Sequence, residues 1–569
     1  MVPNTSLTKS GARLVLLLAL AMFSGQTFSQ DIENIPLAKP VTVSGNIDLR
    51  GIAYSADGIP ARRKPFSYIL SGYTNINLYG SLDIPISFTL SEQDRSFSQP
   101  FNQFGLSPRY KWLTIHGGYR NLSFSPYTLD GHTMLGAGIE INPKKFHFGI
   151  MYGRLNRATE IDSTIGTVQP FSFSRKGIAT KIGYGDERSF ITLSTLHAKD
   201  DSSSTIVDPG NQDLVRAAAN SVASLAGRLQ LAKGLYLDGD AGASLWTNDI
   251  GSAYAIPDSN RIIDKLSSLM PVNGTSEFSV AYRAAAGYMG KFFGLKFEFK
   301  HIDPQFRSMG VYYFNNDVES YTVSPSFILL KNRLRINGSI GRQKDNVKSQ
   351  KEATTTRTIG LANVSWDITQ RLGIDANYTN FSSNSKPSVV LVQNKYLLAQ
   401  NNSNISVMPR LVISNTRFAH VVIASFNRSD LTDDNSTTQT TNNITSDILA
   451  LNYTISLVQK ALSITTAITH TSNTLSVGEF KNMSYTAGLN KSWFKNKLLT
   501  TVNGTYTTSK GPQGNSNIIN ANFNSSYQAG KHHRFSIRYS LLDNRPEIDN
   551  AGQIKFREHT GEAAYTYSF

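Results

Sequence analysis

The loop Ser125–Thr133, reading SPYTLDGHT, gathers the most side chains able to do chemistry in the least space. Asp130 and His132, two positions apart and near Tyr127, offer a carboxylate and an imidazole, the donor types that hold a divalent cation. No third ligand stands beside them, and the same residues suit a Pro/Asp/Gly turn whose polar side chains bond the backbone. The turn is the expected state, with no metal and no cofactor. His532 and His533 are adjacent but lie between Lys531 and Arg534 in a short polar stretch, which reads as a solvated turn. His116, His420 and His470 fall inside strand-like segments and read as interfacial side chains. A hydrolase would need a serine held against one of these histidines, and no GxSxG elbow stands near any of them. With no cysteine in the chain there is neither a thiolate nucleophile nor a disulfide framework. No enzyme is expected.

A second group carries charge rather than reactivity. Arg228, Arg333, Arg335, Arg534 and Arg538, with Lys296, Glu298 and Lys300, alternate with apolar residues along their segments. Leu334, Ile336, Gly338 and Ile340 interleave with Arg335, Asn337 and Ser339, and Phe535, Ile537 and Tyr539 with Arg534, Ser536 and Arg538. Strict alternation places the two sets on opposite faces of a strand. If the apolar face meets lipid, the charged face must look into a lumen, because arginine on the lipid face costs about 2–4 kcal/mol at mid-membrane. These residues are therefore candidate pore-lining groups, with Asp238, Asp240, Glu298 and Asp375 as their acidic counterparts. The formal charge of +15 has no basic block or recognition motif behind it, so nucleic acid is not an expected partner.

The elements that must carry these residues follow from the whole chain. Residues 1–30 have Lys9 and Arg13 before the apolar run Leu14 to Phe23, the order of a secretory signal peptide cut near Ser29 or Gln30. Residues 31–66, with a possible strand from Val41 to Tyr54, read as a periplasmic or lumenal segment, and 67–569 as one barrel. No later apolar run is long enough for a membrane helix. The hydrophobic content of 40% hides membrane character in a barrel, where only alternate residues meet lipid. Short connections such as NPKK at Asn142, GDER at Gly185 and AGKHH at Ala529 alternate with long Ser/Asn/Asp/Thr-rich ones such as 156–170 and 248–275. That sorting is the pattern of an outer-membrane barrel. The final segment GEAAYTYSF sets Tyr565, Tyr567 and Phe569 on one face, as in a strand that closes such a barrel against an N-terminal one. Trp112, Trp246, Trp366 and Trp493 suit aromatic girdles at a membrane interface. The expected fold is all-β, a large antiparallel transmembrane β-barrel of about 24 strands (22–26) without a separate plug domain. Residues 79–133 obey the loop rule least well, and part of them is expected inside the lumen.

Residues 84–155, from IPISFTLSEQ to FHFGIMYGRL, resemble uncharacterised outer-membrane β-barrel proteins of the Bacteroidota. The resemblance implies an outer-membrane location and a large barrel, and no established substrate or catalytic residue. The function expected is a channel for solute or export transport. The alternative is a non-conducting scaffold or surface-binding component of a secretion or adhesion assembly. Expected partners are outer-membrane lipid, the barrel-insertion machinery and a possible secretion-system partner.

Overall fold

In the computed structural model, the residues described are 39–92, 103–159, 172–205, 216–255, 270–387, 399–435, 438–548 and 554–569. The segment expected to be a signal peptide and most of the long Ser/Asn-rich connections lie outside them. Nearly all the rest is antiparallel strand, each paired to its sequence neighbour, and the ring closes. The barrel has 26 strands, because the short segments Gln103–Leu106 and Arg109–Tyr110 share one position in the ring.

Closure uses a strand that the sequence reading left out of the barrel. Val41–Asp57, inside the segment expected to be periplasmic or lumenal, is the first barrel strand. It pairs with Phe66–Leu78 on one side and with the last strand, Phe556–Ser568, on the other. Leu49 stands opposite Tyr565 and Ile47 opposite Tyr567. Gly45 and Phe569 exchange both backbone hydrogen bonds, each at 3.0 Å. The physical reason is that a sheet of this width with an open edge leaves a row of unpaired amide and carbonyl groups, and pairing the first strand with the last removes it. The barrel thus begins at Val41, not at residue 67.

One end of the ring carries tight turns, among them 186–189, 330–333, 415–417 and 530–532. The other carries the long connections, with two exceptions to the expected short/long rule. Leu462–Leu475 joins Gly478–Trp493, and Leu498–Gly511 joins Gly514–Ala529, through two-residue hairpins at the long-loop end. Here the strands themselves run on instead of giving way to loop.

The outward face is largely apolar, with charged residues such as Lys176, Arg428 and Lys481 toward the long-loop end. Ile178, Ile182, Ile191, Leu193, Leu225, Leu229, Phe297, Ile340, Leu451, Phe523 and Ile537 are all exposed on it. The opposite face is where the chain folds onto itself. Residues 122–132 and 303–317, two connections at the long-loop end, turn inward and lie on the wall formed by the strands from Phe146–Asn156 through Phe293–Ile302. Their tips pair as two short parallel strands, Leu129 opposite Gly310 and Asp130 opposite Val311. Part of 79–133 does lie inside the barrel, as the irregular loop spacing suggested.

Candidate functional site: the lumen and its two in-folded loops

The in-folded loops are held first by apolar burial. Phe124 and Leu129 from one loop and Met309 from the other pack with Met151, Leu155, Ala179, Leu196 and Ala198 of the wall. Tyr127 and Phe306 pack with Val222, Ala281 and Ile302, their rings edge to face at 5.6 Å. Glycines on both sides of the contact let backbone come close. A Cβ at Gly242 would stand 2.8 Å from Tyr127 Cβ, and one at Gly310 only 2.4 Å from the Thr128 carbonyl oxygen.

Hydrogen bonds then fix the register of the loops, since buried polar groups must be paired. Ser194 Oγ donates to the Phe124 carbonyl at 3.3 Å, Ser224 Oγ to Ser125 Oγ at 2.8 Å and Ser244 Oγ to the Arg307 carbonyl at 2.6 Å. The Met309 amide donates to Asn220 Oδ1 at 3.0 Å. Burial, with the Asp240 carboxylate behind it, pushes the Tyr127 hydroxyl up, so it stays protonated.

Both ends of the second loop are tied to the neighbouring connection, residues 345–352. Asp303 accepts from the Val280 amide at 2.8 Å and from Lys348 Nζ at 2.9 Å, with His301 Nε2 at 3.3 Å. Asp317 pairs with Lys351 at 2.5 Å and accepts from the Val347 amide at 2.8 Å. Burial opposes the charge on each carboxylate. These partners outweigh it and hold both below the usual carboxylate range.

The candidate cation ligands belong to this packing. Asp130 Oδ1 accepts from Ser123 Oγ at 2.6 Å. His132 is buried and stacked on Tyr312 with ring centroids 4.2 Å apart, and burial pushes its imidazole down to about 4. Among the described residues no group of three or more metal-ligating side chains converges. His532 donates from Nδ1 to the Ser568 carbonyl at 2.7 Å, and His533 Nδ1 lies 2.8 Å from the Tyr565 hydroxyl, so this pair grips the closing strand. His116 departs from its interfacial reading. It is buried, with Nδ1 2.8 Å from Ser107 Oγ and Nε2 3.0 Å from Glu140. Ser107 and Glu140 were not connected to it by any spacing in the sequence.

The charged wall residues sort into local clusters. Arg283, which alternation did not single out, binds Asp238 at 2.6 Å, Asp240 at 2.6 Å and Glu298 at 3.3 Å. Lys296 adds a second bond to Glu298 at 2.6 Å. Arg228 lies over the Tyr236 ring, 4.2 Å from its centroid. Lys300 stands beside Arg283 in the register. Arg335 lines a concavity of about 270 Å³ with Asn337, Asn363, Ser365 and Asp375, and lies 3.8 Å from Asp367. Arg410, also missed, binds Asp375 at 2.6 Å and reaches Asp367 as well. Arg538 and Arg50 share Glu562, at 3.9 and 3.5 Å. Arg333 sits in the turn before its strand and donates to the carbonyls of Asp367 and Ile368. Arg534 donates to Gln528 at 3.1 Å. The pairs thus run along the wall between neighbouring strands. Arg283 is flanked by Ala281 and Ala284–Ala286, small on both faces, and Arg410 by Pro409 and Leu411, so neither showed a polar face in the sequence.

Trp112, Trp366 and Trp493 are exposed near the short-turn end. Trp246 is not: it packs against the loop core beneath Arg307, and its Nε1 donates to Asn248 at 3.0 Å.

No family model and no curated protein sequence matches the chain. Several solved barrels are similar to it in shape. The translocation pore of the P pilus usher PapC matches with a TM-score of 0.35 and 11% identity, over 93% of this chain and 99% of that one. OccK5 (OpdH) of Pseudomonas aeruginosa matches with a TM-score of 0.30 and 10% identity, over 93% and 98%. The ferric enterobactin receptor PfeA matches with a TM-score of 0.43 and 10% identity, over 93% and 81%.

Proposed function

We propose that this chain is an outer-membrane channel that passes small polar solutes along the sector of its wall that the loops leave uncovered. One observation carries the reading. In the strand Gly514–Ala529, Asn520, Asn522 and Asn524 are exposed on the inner face while Phe523 and Tyr527 are exposed on the outer one. Both faces of one strand meet solvent or lipid, as in a wall with water on one side and hydrocarbon on the other. The inner face nearby is a ladder of hydroxyls. Thr454 bonds Thr465 at 3.0 Å, Ser456 Ser463 at 2.8 Å, Ser484 Thr507 at 2.8 Å and Thr486 Thr505 at 2.9 Å. A barrel of this strand number is too wide for inward side chains to fill.

In this reading the short-turn end faces the periplasm and the two in-folded loops narrow the lumen from the outside. The Arg283 and Arg410 clusters neutralise much of the wall, leaving Arg228 and Lys300 to give a weak anion preference that salt screens. Planar-bilayer recording of the purified protein tests the function. Stepwise ohmic conductance with modest chloride preference at low salt is expected. Absence of any conductance would favour the non-conducting scaffold.

A further inference from the structure

At the long-loop end, on the outer side of the two in-folded loops, lies a cleft of about 350 Å³, within the size range of small-ligand sites. Its lining is unlike the hydroxyl-rich wall. Tyr312 and Tyr313 stand out of it, 60% and 78% exposed, with Phe314 beside them. The Arg307 guanidinium lies 5.5 Å from the Trp246 ring centroid. It bonds only neutral oxygens, Asn248 Oδ1 at 3.4 Å and Gln305 Oε1 at 3.3 Å, and among the described residues no carboxylate pairs with it. Arg175, across the cleft, is by contrast neutralised by two bonds to Asp200 at 2.7 and 3.1 Å. The Oδ1 of Asn316, another lining residue, is buried and accepts no hydrogen bond.

We propose that this cleft binds an acidic oligosaccharide. Each requirement comes from a different group. Exposed aromatic faces need a ligand with flat, weakly polar C–H surfaces, which the pyranose ring supplies. A guanidinium without an anion needs a carboxylate, which it can meet with two parallel hydrogen bonds. The amides of Asn156 and Asn316 on the same lining suit hydroxyls, which both donate and accept. A flat aromatic acid supplies the first two and not the third, and a neutral sugar the first and third. A uronic-acid chain supplies all three. The assignment concerns binding and stands whether or not the barrel conducts.

Isothermal titration calorimetry of the folded, full-length barrel in detergent tests it, with tetragalacturonate as probe and maltotetraose as control. Saturable binding of tetragalacturonate is expected, roughly tenfold or more tighter than maltotetraose. Tyr313→Ala and Arg307→Gln, both at exposed positions, should each weaken it by about tenfold. Arg417→Gln, in the tight turn 415–417 at the opposite end of the barrel, should leave it unchanged. Heat-modifiable migration in a gel confirms that each variant is folded. No binding of tetragalacturonate, equal binding of the two sugars, or full binding by the Tyr313→Ala, Arg307→Gln double variant would overturn the proposal.

Discussion

Two strands of the same wall, Ala219–Ala232 and Gly514–Ala529, differ mainly in what lies behind them. In the first, Asn220, Val222 and Ser224 are buried while Leu225 and Leu229 are exposed, a one-sided pattern. In the second, the inner Asn520, Asn522 and Asn524 are exposed as well. The first strand faces the two in-folded loops, and its side chains are correspondingly small or apolar. Across that sector the inner face holds Ala179, Ala198, Ser224, Ser244 and Ala281, which let loop backbone approach. The second faces no described segment, and amides and hydroxyls that water can satisfy occupy its inner face. The outward faces of the two sectors are alike. Sidedness in this barrel is therefore written on the inner face alone, and it is set by where the loops dock.

The largest expected difference between the sectors is in the cost of shaving an inner side chain. Phe306→Ala removes a fully buried ring from the loop core and should cost loop docking about 3–5 kcal/mol. Asn522→Ala, in the open sector, should change stability by no more than about 0.5 kcal/mol. Hydrogen exchange over residues 303–317 should rise strongly in the first variant and stay unchanged in the second. Equal effects would break the comparison.

Next in size is a change that should not tell the sectors apart. Leu225→Arg and Phe523→Arg both place a guanidinium on the outward face, and each should cost about 2–4 kcal/mol near mid-membrane. Refolding into lipid vesicles under a urea series would measure both. A large cost in one sector only would mean that the other does not face lipid.

Smallest is the pH response of the covered sector. Asp303 and Asp317, held below the usual carboxylate range by their partners, stabilise the docked loop fully above the ordinary carboxylate value of about 4. That contribution disappears as pH falls through their lower folded values. Exchange protection of residues 303–317 should therefore be constant from pH 7 to about 5 and fall near pH 3. The hydroxyl ladders of the open sector carry no such group and should not respond. A loop that loosened instead as pH rose from 5 to 8 would contradict the assignment to these carboxylates.

How much of this was legible beforehand depends on whether the information is local. The alternation at Leu334–Ile340 and Phe535–Tyr539 is a period-2 signal, and it announced strands and their two faces. The run Tyr565–Tyr567–Phe569 likewise announced a closing strand. Its partner was legible as a possible strand from Val41 to Tyr54 but was left outside the barrel, because a Pro-containing polar stretch separates it from the next strand. The loops escaped for a different reason. Phe124, Tyr127, Phe306 and Met309 look like ordinary loop residues until Ala179, Ala198 and Val222, each more than fifty positions away, are known to form the wall beneath them. Arg283 was hidden by the alanines around it, and its role depends on Asp238, Asp240 and Glu298 arriving from neighbouring strands.

The absence of native cysteine makes the central claim directly measurable, because a single introduced thiol is then the only one in the chain. Asn522→Cys and Ser224→Cys place it on the inner face of the open and the covered sector, respectively. A membrane-impermeant, negatively charged thiosulfonate is added during single-channel recording in a planar bilayer. The account predicts that current through Asn522→Cys channels falls in steps as the reagent reacts, while Ser224→Cys channels are unchanged. Equal reactivity at both positions, or an unreactive Asn522→Cys in a conducting channel, would contradict it.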